Sequence, residues 1–172
     1  MEDHEEKNGT LAEAVALREQ GRKEEARERL VALAAQHPDD AGIAYQTAWA
    51  HDVLGLEAEA VPYYERALAG GGPAGTGLST EDRRGALLGL GSTYRIRGRH
   101  EEAVTLLTGA VEEFPEDGSL RAFLAMALYN TGRHHESTRL LLRLLAATSE
   151  DPSVREYRRA IEHYAEDLDA IE

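Results

Sequence analysis

Small and apolar residues recur along this chain at fixed offsets. Ala14, Ala48, Gly91 and Ala125 form one column, separated by 34, 43 and 34 residues. Ala26, Ala60, Ala103 and Ser137 form a second with the same spacing, and Leu30, Tyr64, Leu107 and Leu141 a third. Gly21, Gly55, Gly98 and Gly132 lie between the two small-residue columns of each copy. This pattern predicts pairs of helices, A and B, in which the small columns let two backbones approach while larger apolar residues fill the remaining space. The glycines fall where helix A stops and the chain turns, a place that calls for left-handed backbone. Pro38 and Pro115 follow the B helices of the first and third copies and mark the exit to the next, because the residue before proline disfavours helix.

The offsets place four copies at about residues 7–40, 41–74, 84–117 and 118–151, and so predict eight helices. The third copy, LGSTYRIRGRHEEAVTLLTGAVEEFP, carries Leu90, Gly91, Tyr94, Gly98, Ala103, Leu107, Ala110 and Pro115 at the signature positions of the tetratricopeptide repeat. The expected fold is therefore all-α: a tetratricopeptide-repeat right-handed superhelix (α-solenoid) of four helix-turn-helix repeats, one domain over residues 1–172. A capping helix is expected over 152–172, with Asp151 as its N-cap and Pro152 at its first position. Val154, Tyr157, Ile161, Tyr164 and Leu168 recur there at helical spacing and would pack on repeat four, leaving the acidic end, Glu162 to Glu172, in water. The glycine-rich insertion 70–79 lengthens a turn, and Ser79 or Thr80 can cap the next helix. It reads most simply as a surface loop, the other reading being a lid or partner contact. In repeat one, Thr10 and Glu13 stand where apolar residues are expected.

Three segments, AYQTAWAHDVLGLEAEAVPYYERAL, RGALLGLGSTYRIRGRHEEAVTLL and AMALYNTGRHHESTRLLLRLLAATS, resemble a family of small bacterial stand-alone tetratricopeptide proteins over about residues 41–172. That resemblance implies a partner-binding role and self-association as a homodimer, and supplies no catalytic residue.

Composition narrows the function. With 42% hydrophobic and 30% charged residues and a mean hydropathy of -0.48, the chain is too apolar to be disordered and too polar for a membrane protein. Cysteine is absent, which excludes disulfides, thiolate metal sites and cysteine nucleophiles. A balance of 32 acidic against 19 basic residues leaves -13, and the arginines are scattered, so neither nucleic acid nor a membrane is expected as partner. The charged start, Met1 to Lys7, and the lack of a long apolar run point to the cytoplasm.

Chemistry is sparse. His134 and His135 are neighbours that cannot share one helix face, and His100 and His134 stand in matched GRH strings as turn residues. His51 shares a column with Leu17, Tyr94 and Leu128 and is expected to be a partly buried packing residue. No His-x-x-x-His pair offers a zinc site. Glu24, Glu25, Glu101 and Glu102 lie in first turns, where acids suit the helix dipole. Serine-nucleophile motifs, phosphate loops and dinucleotide fingerprints are lacking, so no enzyme, metal or cofactor is expected.

The lining of a concave groove follows from the same register. Repeat one supplies Leu11, Val15 and Arg18; repeat two Tyr45, Trp49 and Asp52; repeat three Leu88, Ser92 and Arg95; repeat four Met126, Tyr129 and Asn130. Aromatic, methionine and arginine side chains are common interface anchors. The competing reading has Tyr45 and Trp49 packing between neighbouring A helices, and makes Asp52 with Arg95 a cross-repeat ion pair. Tetratricopeptide proteins that clamp the C-terminal carboxylate of chaperones use lysine, asparagine and arginine on these faces. Here Leu11 and Val15 stand in place of the first two, which disfavours that ligand. The expected function is a non-enzymatic scaffold holding a peptide or helix of a partner protein. The alternative is a homodimer formed through the groove or the C-terminal helix.

Overall fold

The computed structural model describes residues 2–69 and 77–170. Ten helices run in order among them: α1 (Glu2–Glu19), α2 (Lys23–Gln36), α3 (Ala41–Asp52), α4 (Glu57–Leu68), α5 (Thr80–Ile96), α6 (His100–Glu113), α7 (Gly118–Asn130), α8 (His134–Thr148), α9 (Pro152–Glu156) and α10 (Arg158–Glu166). Most of the insertion expected at 70–79, residues 70–76, lies outside the described residues. The chain divides into two compact units, residues 1–97 and 98–172. The division falls between α5 and α6, inside the third predicted repeat.

In the first unit, α1 to α5 pack each on the next, and α1, α3 and α5 also touch in sequence. The small columns lie at the centre of this packing: Ala14, Ala26, Ala48 and Ala60 are all fully buried. Leu30, Ile43 and Leu33 fill the space beside them, with Leu11 packed against the same clusters. Burying a leucine or isoleucine of this kind contributes about 1.5–3 kcal/mol. In the second unit, α6 packs on α7, α7 on α8, and α8 on α9 and α10. Ser137 takes the small position on α8, and its hydroxyl donates to the Ala125 carbonyl on α7 at 2.6 Å. That bond ties A to B directly where the other copies rely on alanine.

All four repeat glycines have positive φ, between 70° and 83°. At Gly21, Gly55 and Gly132 the next residue's amide reaches back five positions: Arg22 to Leu17 O, Leu56 to His51 O and Arg133 to Leu128 O, at 2.9–3.0 Å. This closes helix A and reverses the chain in one turn. The following B helices of three copies start on an arginine that pairs with a first-turn glutamate: Arg22 with Glu25, Arg99 with Glu102 and Arg133 with Glu136. Of the expected first-turn acids, Glu25 and Glu102 thus have specific partners as well as the helix dipole. Asp40, Ser79 and Asp117 cap α3, α5 and α7 through the amides of Ile43, Asp82 and Leu120. Pro62 sits inside α4 and, lacking an amide hydrogen, cannot donate to the carbonyl of the exposed Ala58.

Two expectations need correction at the C-terminal end. The single helix expected over 152–172 is two, broken at Tyr157, where ψ rises to 11°. The break turns Ile161 and Ala165 inward and leaves Tyr157, Tyr164 and Leu168 40–61% exposed. Leu141 also departs from its column: Leu30 and Leu107 are fully buried, but Leu141 is 44% exposed. Among the described residues it is the short α9 and α10 that pack on α8.

The weak apolar pattern of the first helix is offset by a charge. Lys7 Nζ donates to Asp40 Oδ2 at 2.7 Å, and the same carboxylate accepts the Ile43 amide. Thr10 donates to its own helix at Glu6 O, and Glu13 reaches the exposed Arg29. Burial alone would push the Asp40 carboxyl up, but the Lys7 bond and the Ile43 and Gly42 amides outweigh it and hold it below its ordinary value. A depressed folded-state value stabilises the protein above the unfolded value and loses that contribution as pH falls. Asp40→Asn keeps the cap and removes the charge. Thermal unfolding across the acid range should show the variant less stable than the parent near neutrality, with the two curves converging below about pH 3. A gap that persists into acid would assign the loss to the cap instead.

Candidate interaction surface

The predicted groove residues fall into two groups. In the first unit they belong to α1, α3 and α5. Trp49, on α3, is 41% exposed. The Arg18 guanidinium lies over its ring, 3.8 Å from the centroid, and Tyr45 stacks beside it at 5.9 Å. An indole held by two neighbours while nearly half its surface meets water is a pre-organised contact. Arg18 is itself only 8% exposed, with a single bond from Nη1 to the Gln46 carbonyl at 3.5 Å and no carboxylate partner among the described residues. Burial draws the guanidinium below its ordinary value, partly offset by Tyr45 and Glu19.

Tyr45 does not line the surface: it is buried, and its ring packs toward Tyr64 at 6.3 Å. This is the competing packing role for Tyr45, whereas Trp49 keeps its open face. Both tyrosine rings enter α5 at positions without side chains. A Cβ on Gly85 would collide with the Tyr45 hydroxyl, and one on Gly89 with the Tyr64 hydroxyl and the ring behind it. Asp52 faces the interior as well. It accepts from Tyr64 at 2.6 Å and from Thr93 at 3.2 Å, and burial raises its carboxyl above the ordinary value although both bonds oppose that rise. Burial and the adjacent Asp52 push the Tyr64 phenol far above its usual range. Asp52 therefore links α3, α4 and α5 as a structural acceptor, through Tyr64 and Thr93 in place of the Arg95 partner expected from sequence.

Leu11, Val15, Leu88, Ser92 and Arg95 are half-buried, and Leu11 belongs to the core clusters. In the second unit Met126, Tyr129 and Asn130 are exposed on α7, and the Tyr129 ring packs at a tilt against His134, 4.6 Å between centroids. His51 is a packing residue, 4% exposed, with Nδ1–H donating to Thr47 O at 2.8 Å and its ring stacked on Tyr63. Tyr64 and Thr93 were missed in the sequence. Their signal is a hydroxyl where the other copies carry leucine, for Tyr64, or alanine, for Thr93, together with three glycines in one helix at Gly85, Gly89 and Gly91. Among the described residues no three histidine, aspartate or glutamate side chains gather to hold a metal ion. No helix among them is long and apolar enough to cross a membrane.

Helix pairs closed by left-handed glycines and locked by buried small residues define an all-helical tetratricopeptide solenoid, a class of protein-interaction scaffold. The chain belongs to the tetratricopeptide repeat family, whose profiles match residues 41–168 and residues 11–40. No curated protein matches it. Among solved structures it is similar to MamA from Desulfovibrio magneticus RS-1, residues 41 to the end, with a TM-score of 0.71 and 16% identity over 94% of this chain and 89% of that one. It is also similar to the RS-1 ArsTM double mutant of MamA, with a TM-score of 0.66 and 15% identity over 95% and 96% of the two chains. For MamA of AMB-1 the TM-score is 0.61, at 22% identity over 95% and 98%. At these identities the likeness is one of fold.

The glycines of α5 give a test with a definite sign. Glycine to alanine on an open helix surface gains about 0.5–1 kcal/mol, as expected for Gly109→Ala on α6, where nothing lies within contact. Gly89→Ala should instead cost about 1–3 kcal/mol, because the buried Tyr64 must move and strain its bond to Asp52. Chemical denaturation of both variants reads this directly, and a stabilised Gly89→Ala would mean that Tyr64 does not lie against α5.

Proposed function

We propose that this protein is a non-enzymatic scaffold that holds a peptide or helix of a partner protein against the helix-A face, with Trp49 as the anchor. The observation that carries this reading is the exposed Trp49 ring, fixed by Arg18 beneath and Tyr45 beside it. A rigid aromatic surface of this kind adds binding area at small entropic cost. In the second unit Met126, Tyr129 and Asn130 are exposed on α7. The preferred ligand offers apolar or aromatic side chains. Trp49→Ala should weaken capture of the partner by about 2 kcal/mol or more with the helical fold intact by circular dichroism, although the melting temperature falls because the buried Arg18 loses the ring it lies on. Recovery of the same partners at the same affinity by the variant would refute the assignment.

A homodimer is the second reading, favoured by Leu141, Leu145, Tyr157, Tyr164 and Leu168, all 40% exposed or more on α8 to the C-terminal segment. Removing residues 152–172 should then change the mass measured by light scattering across a dilution series. A mass that only falls by that of the deleted segment would remove this end as the interface.

A further inference from the structure

A second surface lies on the opposite side of α3. Between α2 and α4, with α3 as its floor, runs a cleft of about 500 Å³, within the range of small ligand sites. Val31, Pro62 and Tyr63 supply apolar walls, and His51 and Tyr63 stack face to face at 5.2 Å along it. Arg27 lines the same cleft, and its Nε is buried without any acceptor. A buried donor left unpaired is costly, so Arg27 is a guanidinium that the fold itself does not satisfy. Glu28 and Glu59 stand at the rim, exposed and without an ion pair among the described residues. Neither fold nor packing accounts for this combination. Tyr63 already meets Arg66 on its ring, so the aromatic wall does not need Arg27.

We infer that the cleft between α2 and α4 binds an extended segment of a partner protein that places an apolar side chain against Val31, Pro62 and Tyr63, a backbone carbonyl on the terminal nitrogens of the Arg27 guanidinium, and lysine or arginine side chains at Glu28 and Glu59. A carbonyl accepts from the Arg27 guanidinium without adding charge, and basic flanks match both the rim carboxylates and a chain whose net charge is -13. The site is separate from the Trp49 face and does not depend on that reading. Trp49 and His51 stand two residues apart on one helix and so point to different sides.

The test uses acetyl-Lys-Leu-Lys-amide and acetyl-Glu-Leu-Glu-amide, titrated into the full chain while the ring resonances of His51 and Tyr63 are followed by NMR. The basic peptide should shift both saturably, and the acidic one should bind about tenfold more weakly. Arg27→Lys keeps the charge and much of the stem but lacks the planar guanidinium fork, and should weaken the basic peptide about fivefold or more with the fold intact by circular dichroism. Glu28→Gln combined with Glu59→Gln should erase the preference for basic flanks, whereas Trp49→Ala should change nothing. Equal or tighter binding of the acidic peptide would overturn the inference, as would full affinity in Arg27→Lys or the lack of any saturable shift.

Discussion

The close approach of each A helix to its B helix is the constraint on which the rest of the structure depends. Two backbones can come this near only where neither carries a large side chain, and Ala14 with Ala26 and Ala48 with Ala60 are buried for that reason. Once that contact is set, the rotation of both helices is fixed, and every other position acquires a direction. Leu30, Ile43 and Leu33 have no choice but the interior, and Trp49 no choice but the face. The glycine turns serve the same contact. A looser connection would let B rotate about A, and positive φ at Gly21, Gly55 and Gly132 closes A within the last turn.

This dependence explains why so much of the architecture was legible in the sequence. Columns of small residues and left-handed glycines are local demands of backbone geometry, and a substituent there is penalised whatever the surroundings. Side-chain partnerships are different. Asp52 stands in the column of Arg18, Arg95 and Tyr129, and nothing in that column shows that Tyr64 and Thr93 are within reach. Tyr45 was placed on the lining for the same reason: its register position is right, but the ring is long enough to turn into the notch that Gly85 leaves in α5. The C-terminal end misled for a physical reason too. A hydrophobic period says which residues share a face only while the helix is continuous, and the break at Tyr157 re-phases everything after it.

Buried polar groups in the first unit sort into two kinds. Asp52, Tyr64 and Thr93 satisfy one another, and His51 is satisfied by Thr47 O, so they hold helices together without offering chemistry to a ligand. Arg18 and Arg27 are different, for each is a half- or fully buried guanidinium with no carboxylate partner among the described residues. Removing a guanidinium from water without a counter-charge costs stability. Arg18 recovers part of that through the Trp49 ring, whereas Arg27 Nε recovers none.

The second helix pair is where the chain departs furthest from a plain repeat. Tyr45, Trp49, His51, Asp52, Pro62, Tyr63 and Tyr64 all belong to α3 and α4, where the other copies place mostly aliphatic or small residues. Aromatic rings need wider gaps than aliphatic side chains, and the gaps are made elsewhere: by glycines in α5 and by the cleft that α2 and α4 leave over His51. A side chain added at Gly89 therefore reaches Asp52 through Tyr64, and through α3 it reaches the helix that carries both Trp49 and His51. Both surfaces of the first unit rest on this one helix, so the packing that makes α3 rigid is also what gives each surface its shape.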